Sequence, residues 1–506
     1  AVVIADRRAG SILGATDRFA IRPLCYAVEG ARFAFSDRAD AVALRGERAL
    51  DPQALFDYLY FHVIPAPRTI FRGVSRLEHG HAVRFDGARA AAAAHWTPRF
   101  AEDGRATVAA LADEFRALVR AAVAREAGAG QAGAFLSGGT DSSTVAGMLG
   151  AVAGRARTYS IGFDAEGYDE MAYARIAAKH FGTEHHEYYV TPEDLVGGIP
   201  LVAAHYDQPF GNSSAVPAYY CALRAREDGV ARLLAGDGGD ELFGGNVRYA
   251  KQRVFGAYEA LPGGLRRGLV EPLVDGLPAL ARVPLARKAA SYVRQARVAM
   301  PDRIQSYNLL ERLGVGEVLT ARFLADVDAG APLAAQRRAY GASGARTLVN
   351  RMLEYDWKYT LADNDLPKVT GTTALAGLAV GFPLLADELV DFSLRLPPEL
   401  KLKGLRLRYF FKEALRGFLP DAILAKKKHG FGLPFGVWLT RHAALREFAL
   451  RALARFGERG VVRADFLASL GGARLRERPG YYGEMIWILV ALEHWLERRA
   501  PGFAVR

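Results

Sequence analysis

The order of apolar and polar positions divides the chain into three stretches. In residues 1–100, short apolar runs at 1–4, 11–14, 24–28 and 31–35 are broken by Arg-Ala-Gly and Glu-Gly turns, the pattern of antiparallel strands in meanders. Residues 51–61 put Leu55, Leu59 and several aromatics on one helical face, Pro65 and Pro67 close that helix, and 74–85 carries two more strands around His79-Gly80-His81. Residues 102–127 predict an Ala-rich helix and 128–133 a Gly-rich hinge. Strands and helices then alternate: strand 132–136, helix 144–152, strand 158–163, helix 169–181, strand 186–190, helices 195–205 and 214–225, strand 232–235. This alternation predicts an α/β fold, a parallel sheet with helices on both faces and a ligand at the C-terminal strand ends. From 248 onward apolar residues recur at helical spacing, as at 250–261, 353–362, 388–395, 408–416 and 482–497, and the expectation there is helix. The division that follows is a β-rich unit over 1–100 and a second unit over 101–506, made of a linker helix (101–131), an α/β core (132–250) and a helical part (251–506).

Two of the expected strands run into unusual loops. After the first comes Leu136-Ser137-Gly138-Gly139-Thr140-Asp141-Ser142-Ser143. Two glycines let the backbone curl around an anion, the hydroxyls of Ser137, Ser142 and Ser143 can donate to it, and the helix that follows points unpaired N–H groups at it. That geometry suits phosphate, although no Lys follows the second Gly as in a Walker loop. Asp141, a carboxylate beside a phosphate, makes sense with Mg²⁺ between them. After strand 232–235 comes Gly236-Asp237-Gly238-Gly239-Asp240-Glu241-Leu242-Phe243-Gly244-Gly245, again acidic and Gly-rich. One such loop is ordinarily a turn. A pair at neighbouring strand ends is what a Mg²⁺–nucleotide site needs.

Composition narrows the classes. A net charge of +11 is compatible with nucleotides, but the basic residues are scattered rather than clustered with aromatics, which argues against nucleic acid. Two cysteines, Cys25 and Cys221, make neither a disulfide framework nor a zinc site and favour a reducing compartment. No apolar run reaches the ~18 residues of a membrane span and no signal peptide is evident, so the expectation is a cytoplasmic chain without a membrane partner. The oligomeric state stays open, a homodimer included.

The two loops together resemble the synthetase domain of the asparagine synthetase family, ATP pyrophosphatases related to argininosuccinate and GMP synthetases. Tyr159-Ser160-Ile161-Gly162-Phe163, Asp207-Gln208-Pro209-Phe210 and Lys426-Lys427-Lys428-His429-Gly430-Phe431-Gly432 also stand where that family has similar residues. Asp17-Arg18-Phe19-Ala20-Ile21-Arg22-Pro23-Leu24 resembles the later half of its glutaminase domain. The resemblance implies an ATP-pyrophosphatase (PP-loop, adenine nucleotide alpha hydrolase-like) synthetase domain with a helical C-terminal part, preceded by an incomplete, N-terminal-nucleophile-like glutaminase domain. Its function would be an ATP-dependent amide-forming ligase, as in asparagine biosynthesis, using ATP and Mg²⁺, a small carboxylate substrate and an amine or ammonia donor. A carboxylate would attack the α-phosphorus of ATP, giving an acyl-adenylate and pyrophosphate. The resemblance places pyrophosphate on Ser137, Gly138, Gly139, Asp141, Ser142 and Ser143, with Gly236 and Gly238 beside it. Adenine falls at the backbone of Leu136 and Ile161, Mg²⁺ at Asp141 and Asp240, and Lys428 on the α-phosphate. Asp237 is the candidate general base or amine-orienting group.

Two departures qualify this. The sequence has no N-terminal Cys and Ala1 already falls inside the glutaminase-like domain, so no glutaminase activity is expected of this chain; Cys25, in an apolar Pro-Leu-Cys-Tyr run, reads as core. Where relatives often have Gly-x-Glu-x-Arg-x-Pro, the chain has Gly377-Leu378-Ala379-Val380-Gly381-Phe382-Pro383, losing an acidic and a basic residue. Three functions therefore stand side by side. The first is an asparagine-synthetase-type ligase. The second is a relative activating another carboxylate, as β-lactam synthetases, lasso-peptide cyclases or natural-product and glycan amidotransferases do. The third is a non-catalytic nucleotide-binding protein.

Overall fold

A computed structural model of the chain describes residues 1–43, 49–128, 130–276, 284–426 and 432–505. The N-terminal strands are β1 (Val2–Asp6), β2 (Ser11–Ala15), β3 (Cys25–Glu29), β4 (Arg32–Ser36), β5 (Ser75–Arg76), β6 (His81–Phe85) and β7 (Ala90–Ala94). They form two antiparallel sheets, β1-β2-β6-β7 and β4-β3-β5, which share the small apolar cluster Leu24, Leu77 and Val83. Helix α1 (Pro52–Phe61) starts where Asp51 accepts from the Gln53 N–H and Pro52 supplies a first-turn residue that needs no donor.

Helix α2 (Val108–Ala127) begins later than expected, because Thr107 provides the cap by accepting from Ala110 N–H. Beyond it lie β8 (Ala132–Phe135), β9 (Arg157–Phe163), β10 (Glu184–Val190) and β11 (Arg232–Leu234), connected by α3 (Thr140–Ala153), α4 (Met171–Phe181), α5 (Pro192–His205) and α6 (Ala215–Glu227). Thr191 and Asp194 form a reciprocal capping box that starts α5 three residues ahead of the apolar pattern. The sheet is wholly parallel, in the order β10-β9-β8-β11-β12. Its fifth strand, β12 (Ala379–Gly381), lies within the region expected to be purely helical. The altered 377–383 stretch is thus a sheet edge. At Gly381 a Cβ would fall 2.5 Å from Glu126 Oε2, and Glu126 itself pairs with Arg232 at 2.8 Å.

Helices cover both faces. Ala134 and Leu234 belong to one core, with Val145 and Leu149 of α3 and Phe115 of α2. Leu233 and Tyr159 belong to another, with Cys221 and Ala222 of α6 and Leu378. The chain winds outward from β8 to β10, returns to β11 and continues to β12. The direction reverses between β8 and β11, which is where ligands sit in such sheets.

The later helices include α7 (Gly239–Phe243), α8 (Leu348–Asp356), a π-helical segment Trp357–Asp365 running straight into α9 (Leu366–Leu375), α10 (Tyr409–Ala414), α11 (Phe435–Arg441), α12 (Ala443–Glu458) and α13 (Pro479–Arg499). The π segment buries Trp357 against Phe19, Trp96 and Phe100, which seats the N-terminal sheets on the second unit. Its polar face turns to the crevice beside β8 and β11.

Candidate active site

Loops 137–143 and 236–245 follow the two central strands and touch each other. Gly138, at φ 67°, has no alternative, since a Cβ there would stand 2.5 Å from the carbonyl carbon of Tyr173 in α4. Gly236 fits against α3, with a would-be Cβ 2.7 Å from the Ser142 amide. The loop hydroxyls hold its shape: Ser142 Oγ accepts from the Ser137 N–H at 3.1 Å and lies 3.0 Å from Ser137 Oγ. Helix α3 opens at Gly139 without a side-chain cap among the described residues, leaving its first-turn N–H groups for an anion.

Asp141 and Asp240 converge from the two loops, as expected. Between them lies a cation the sequence reading did not foresee, the guanidinium of Arg408. Its two terminal nitrogens meet the two oxygens of Asp141 at 2.5 Å each, and it also reaches Asp240 and the Thr140 hydroxyl. Only 7% of the Arg408 side chain is exposed. Burial works against its charge, yet the two carboxylates more than restore it and hold the guanidinium firmly protonated. Arg408 sits ahead of α10 in the left-handed conformation (φ 53°, ψ 37°), with its N–H on the Gly244 carbonyl at 3.1 Å. Asp141 and Asp240, closing on the Arg408 guanidinium beside a helix end without a side-chain cap among the described residues, form a donor set of the kind that would suit Mg²⁺.

A cavity of about 620 Å³ opens beside these loops, lined among others by Leu136, Ser137, Asp141, Ser142, Ile161, Gly236, Asp237, Gly238 and Asp240. Gly138 and Gly139, expected at the phosphate, are not among the residues that border it. Ser143 departs from the expectation: it lies in the first turn of α3, fully buried and not among the residues that border the cavity, and its hydroxyl finds no partner among the described residues. Helical periodicity turns Ser142 and Ser143 about 100° apart, so only one of the two faces the crevice. Lys428 lies outside the described residues.

Burial pushes the Asp237 carboxyl up to about 6, against the pull of Lys368, whose ammonium is 3.9 Å away. Lys368 also pairs with Asp365 at 2.9 Å. Lys368 and Asp365 come from the π segment and α9, and their Asp-x-x-Lys spacing was the one signal that could have revealed them. Lys426 was passed over too. Its ammonium donates to the Gly138 carbonyl at 3.3 Å, pairs with Glu170 at 3.2 Å and lies over the Tyr173 ring. Cys25 is buried core as expected, its thiol raised by burial to about 12. Among the described residues no helix is long and apolar enough to cross a membrane.

The fold and loops define a parallel α/β protein whose two Gly-rich acidic loops meet at the point of strand reversal. Residues 114–497 match the asparagine synthase family model and residues 1–96 the glutamine amidotransferase domain, so the chain belongs to the asparagine synthase family. It is 27% identical over 439 residues to asparagine synthetase [glutamine-hydrolyzing] 1 of Bacillus subtilis, covering 85% of this chain and 66% of that protein. A putative asparagine synthetase of Mycobacterium bovis is 29% identical over 452 residues, covering 86% of this chain and again 66% of the relative. A further putative asparagine synthetase, from Methanocaldococcus jannaschii, is 30% identical over 308 residues, covering 57% of this chain and 58% of its own. The chain thus spans just under two thirds of the length of the first two relatives.

Proposed function

We propose that the chain carries the synthetase activity of an ATP-dependent amide-forming ligase, in which a carboxylate is activated as an acyl-adenylate and passed to an amine or to ammonia. The observation that carries this reading is the convergence of Asp141 and Asp240 from two Gly-rich loops at the reversal point of the sheet. In this reading the fold is of the ATP-pyrophosphatase kind, and the N-terminal sheets are glutaminase-like.

Pyrophosphate rests on the 137–143 loop, taking N–H groups from the start of α3 and hydroxyl donors from Ser137 and Ser142. Asp141 and Asp240 would hold Mg²⁺, which would supply neutralisation of phosphate charge when bound. The backbone of Leu136 and Ile161 borders the adenine. Lys428 is assigned to the charge that grows on the α-phosphate, and Lys426 to fixing Gly138. Asp237, with its raised carboxyl, is poised to take a proton from the incoming amine near neutral pH.

The test is carboxylate-dependent exchange of labelled pyrophosphate into ATP, screened over candidate acids including aspartate. Asp141→Asn should lower the exchange by about a hundredfold or more with the fold retained. Normal exchange in that variant removes the assignment. A second reading, activation of a carboxylate other than aspartate, is favoured by Ala379 and Gly381 at the β12 edge, where relatives often carry an acid and a base.

A further inference from the structure

The cavity is also bordered by two polar residues to which the proposed function gives no role, His62 and Glu484. His62 ends α1 in the left-handed conformation, φ 66° and ψ 3°, where Gly or Asn carries the least strain. Its carbonyl accepts from the Gly211 N–H at 2.7 Å, and the Gly211 carbonyl accepts from the Trp487 indole of α13 at 2.9 Å. Tyr58, one turn back in α1, donates to the Ile488 carbonyl at 2.9 Å. A Cβ on Gly211 would come within 2.7 Å of the Tyr58 hydroxyl, so the loop is clamped between the two helices. From this rigid frame His62 and Glu484 both line the cavity. His62 Nε2 is buried without a hydrogen-bond partner. Glu484 makes no hydrogen bond or ion pair among the described residues, and burial alone raises its carboxyl.

We propose that His62 and Glu484 form the seat of a protonated primary amine, the amine partner in the reaction proposed above. The reaction rests on that reading; the seat rests on its own geometry. A carboxylate and a neutral imidazole that border the same cavity, neither with a side-chain partner among the described residues, can satisfy an ammonium group together, the first by charge and the second by accepting one N–H. Burial lowers the His62 ring to about 4, so at neutral pH it offers a lone pair rather than a second positive charge. Two donors are too few for a resident metal. The strained φ of His62 agrees with a position kept for what its side chain meets.

Saturation-transfer NMR on the 506-residue chain tests this with n-butylammonium chloride as probe and butan-1-ol as its neutral match. The expected result is transfer to the ammonium and none to the alcohol. Glu484→Gln should weaken binding about tenfold or more, and His62→Asn, which keeps the left-handed backbone, by about fivefold. Ammonium chloride as competitor separates two sources of the same chemistry. Displacement marks a seat sized for ammonium and retention one built for an alkylamine, and both support a protonated-amine site. Equal binding of the alcohol, binding unchanged in both variants, or no transfer in the wild-type chain overturns the proposal. Loss of pyrophosphate exchange for every acid, with amine binding still dependent on Glu484, removes the ligase reading and leaves the seat standing. Exchange intact with amine binding indifferent to Glu484 does the reverse.

Discussion

At the scale of single residues the site is organised by charges that have few ways to be satisfied. Arg408 lies between Asp141 and Asp240 and pairs with both. Arg408→Met removes that shared countercharge from a mostly buried place and should cost about 3 kcal/mol of stability. Adding MgCl₂ should recover much of that loss in thermal melts of the variant and do little for the wild-type chain; equal responses in the two proteins would sink the assignment of Mg²⁺ to Asp141 and Asp240. Lys401 presents the opposite problem. It is fully buried, its ammonium donates to Asn350 Oδ1 at 2.9 Å, and burial lowers it from 10.5 to about 7, only partly offset by Glu102. Between those two values the unfolded chain binds a proton that the folded chain does not, so stability rises with pH and is lost as pH falls toward 7. Urea titrations should show a slope of up to about 1.4 kcal/mol per pH unit in that window, and Lys401→Met should flatten it.

At the scale of elements, the 137–143 loop works because α4 packs directly on it. Gly138→Ala adds a Cβ that meets the backbone of Tyr173 and Ala174, in a conformation alanine resists, and neither backbone can swing aside as a side chain would. A loss of about 2–3 kcal/mol is expected by chemical denaturation and, on the proposed function, weakened ATP binding. Much of this architecture could be read from the sequence. The alternating strands from 132 to 235 and the two acidic Gly-rich loops carried their own periodicity and turn chemistry, so the parallel sheet and the meeting of Asp141 with Asp240 were legible. β12 was not, because the three residues Ala379–Gly381 are too short to show a period of two. Thr107 displaced the start of α2 through a cap that the alanine-rich pattern hides. Arg408 reached the site through tertiary folding alone, across 267 positions from Asp141 and from a backbone conformation that favours Gly or Asn. His62 and Glu484 were invisible for the same reason, since each is ordinary within its own helix.

At the scale of the whole molecule, the N-terminal sheets and the synthetase-like body share buried ion pairs. Asp363 in the π segment accepts from the Ala66 N–H at 3.1 Å, pairs with Arg76 at 3.0 Å and lies 3.5 Å from Lys358, which in turn holds Glu78 at 2.6 Å. Asp363→Ala takes the carboxylate from the mostly buried Arg76 and leaves Lys358 with Glu78, and should destabilise the chain by about 3 kcal/mol. Because the contacts cross between the two parts, wild-type denaturation followed by tryptophan fluorescence and by circular dichroism should give coincident transitions. Separate transitions would mean that the parts unfold independently.

The place of β12 in the sheet has a consequence for how the protein is made. β11 ends at Leu234, but its outer neighbour begins only at Ala379, so a ribosome must add the whole intervening stretch before that edge can be covered. At typical rates of translation this leaves a Leu-Leu edge open for on the order of ten to thirty seconds, next to the loop that carries Asp240. The nascent chain therefore passes through a stage in which its two Gly-rich loops already exist while the strand that closes their sheet does not, and in that interval the open edge can pair with another chain.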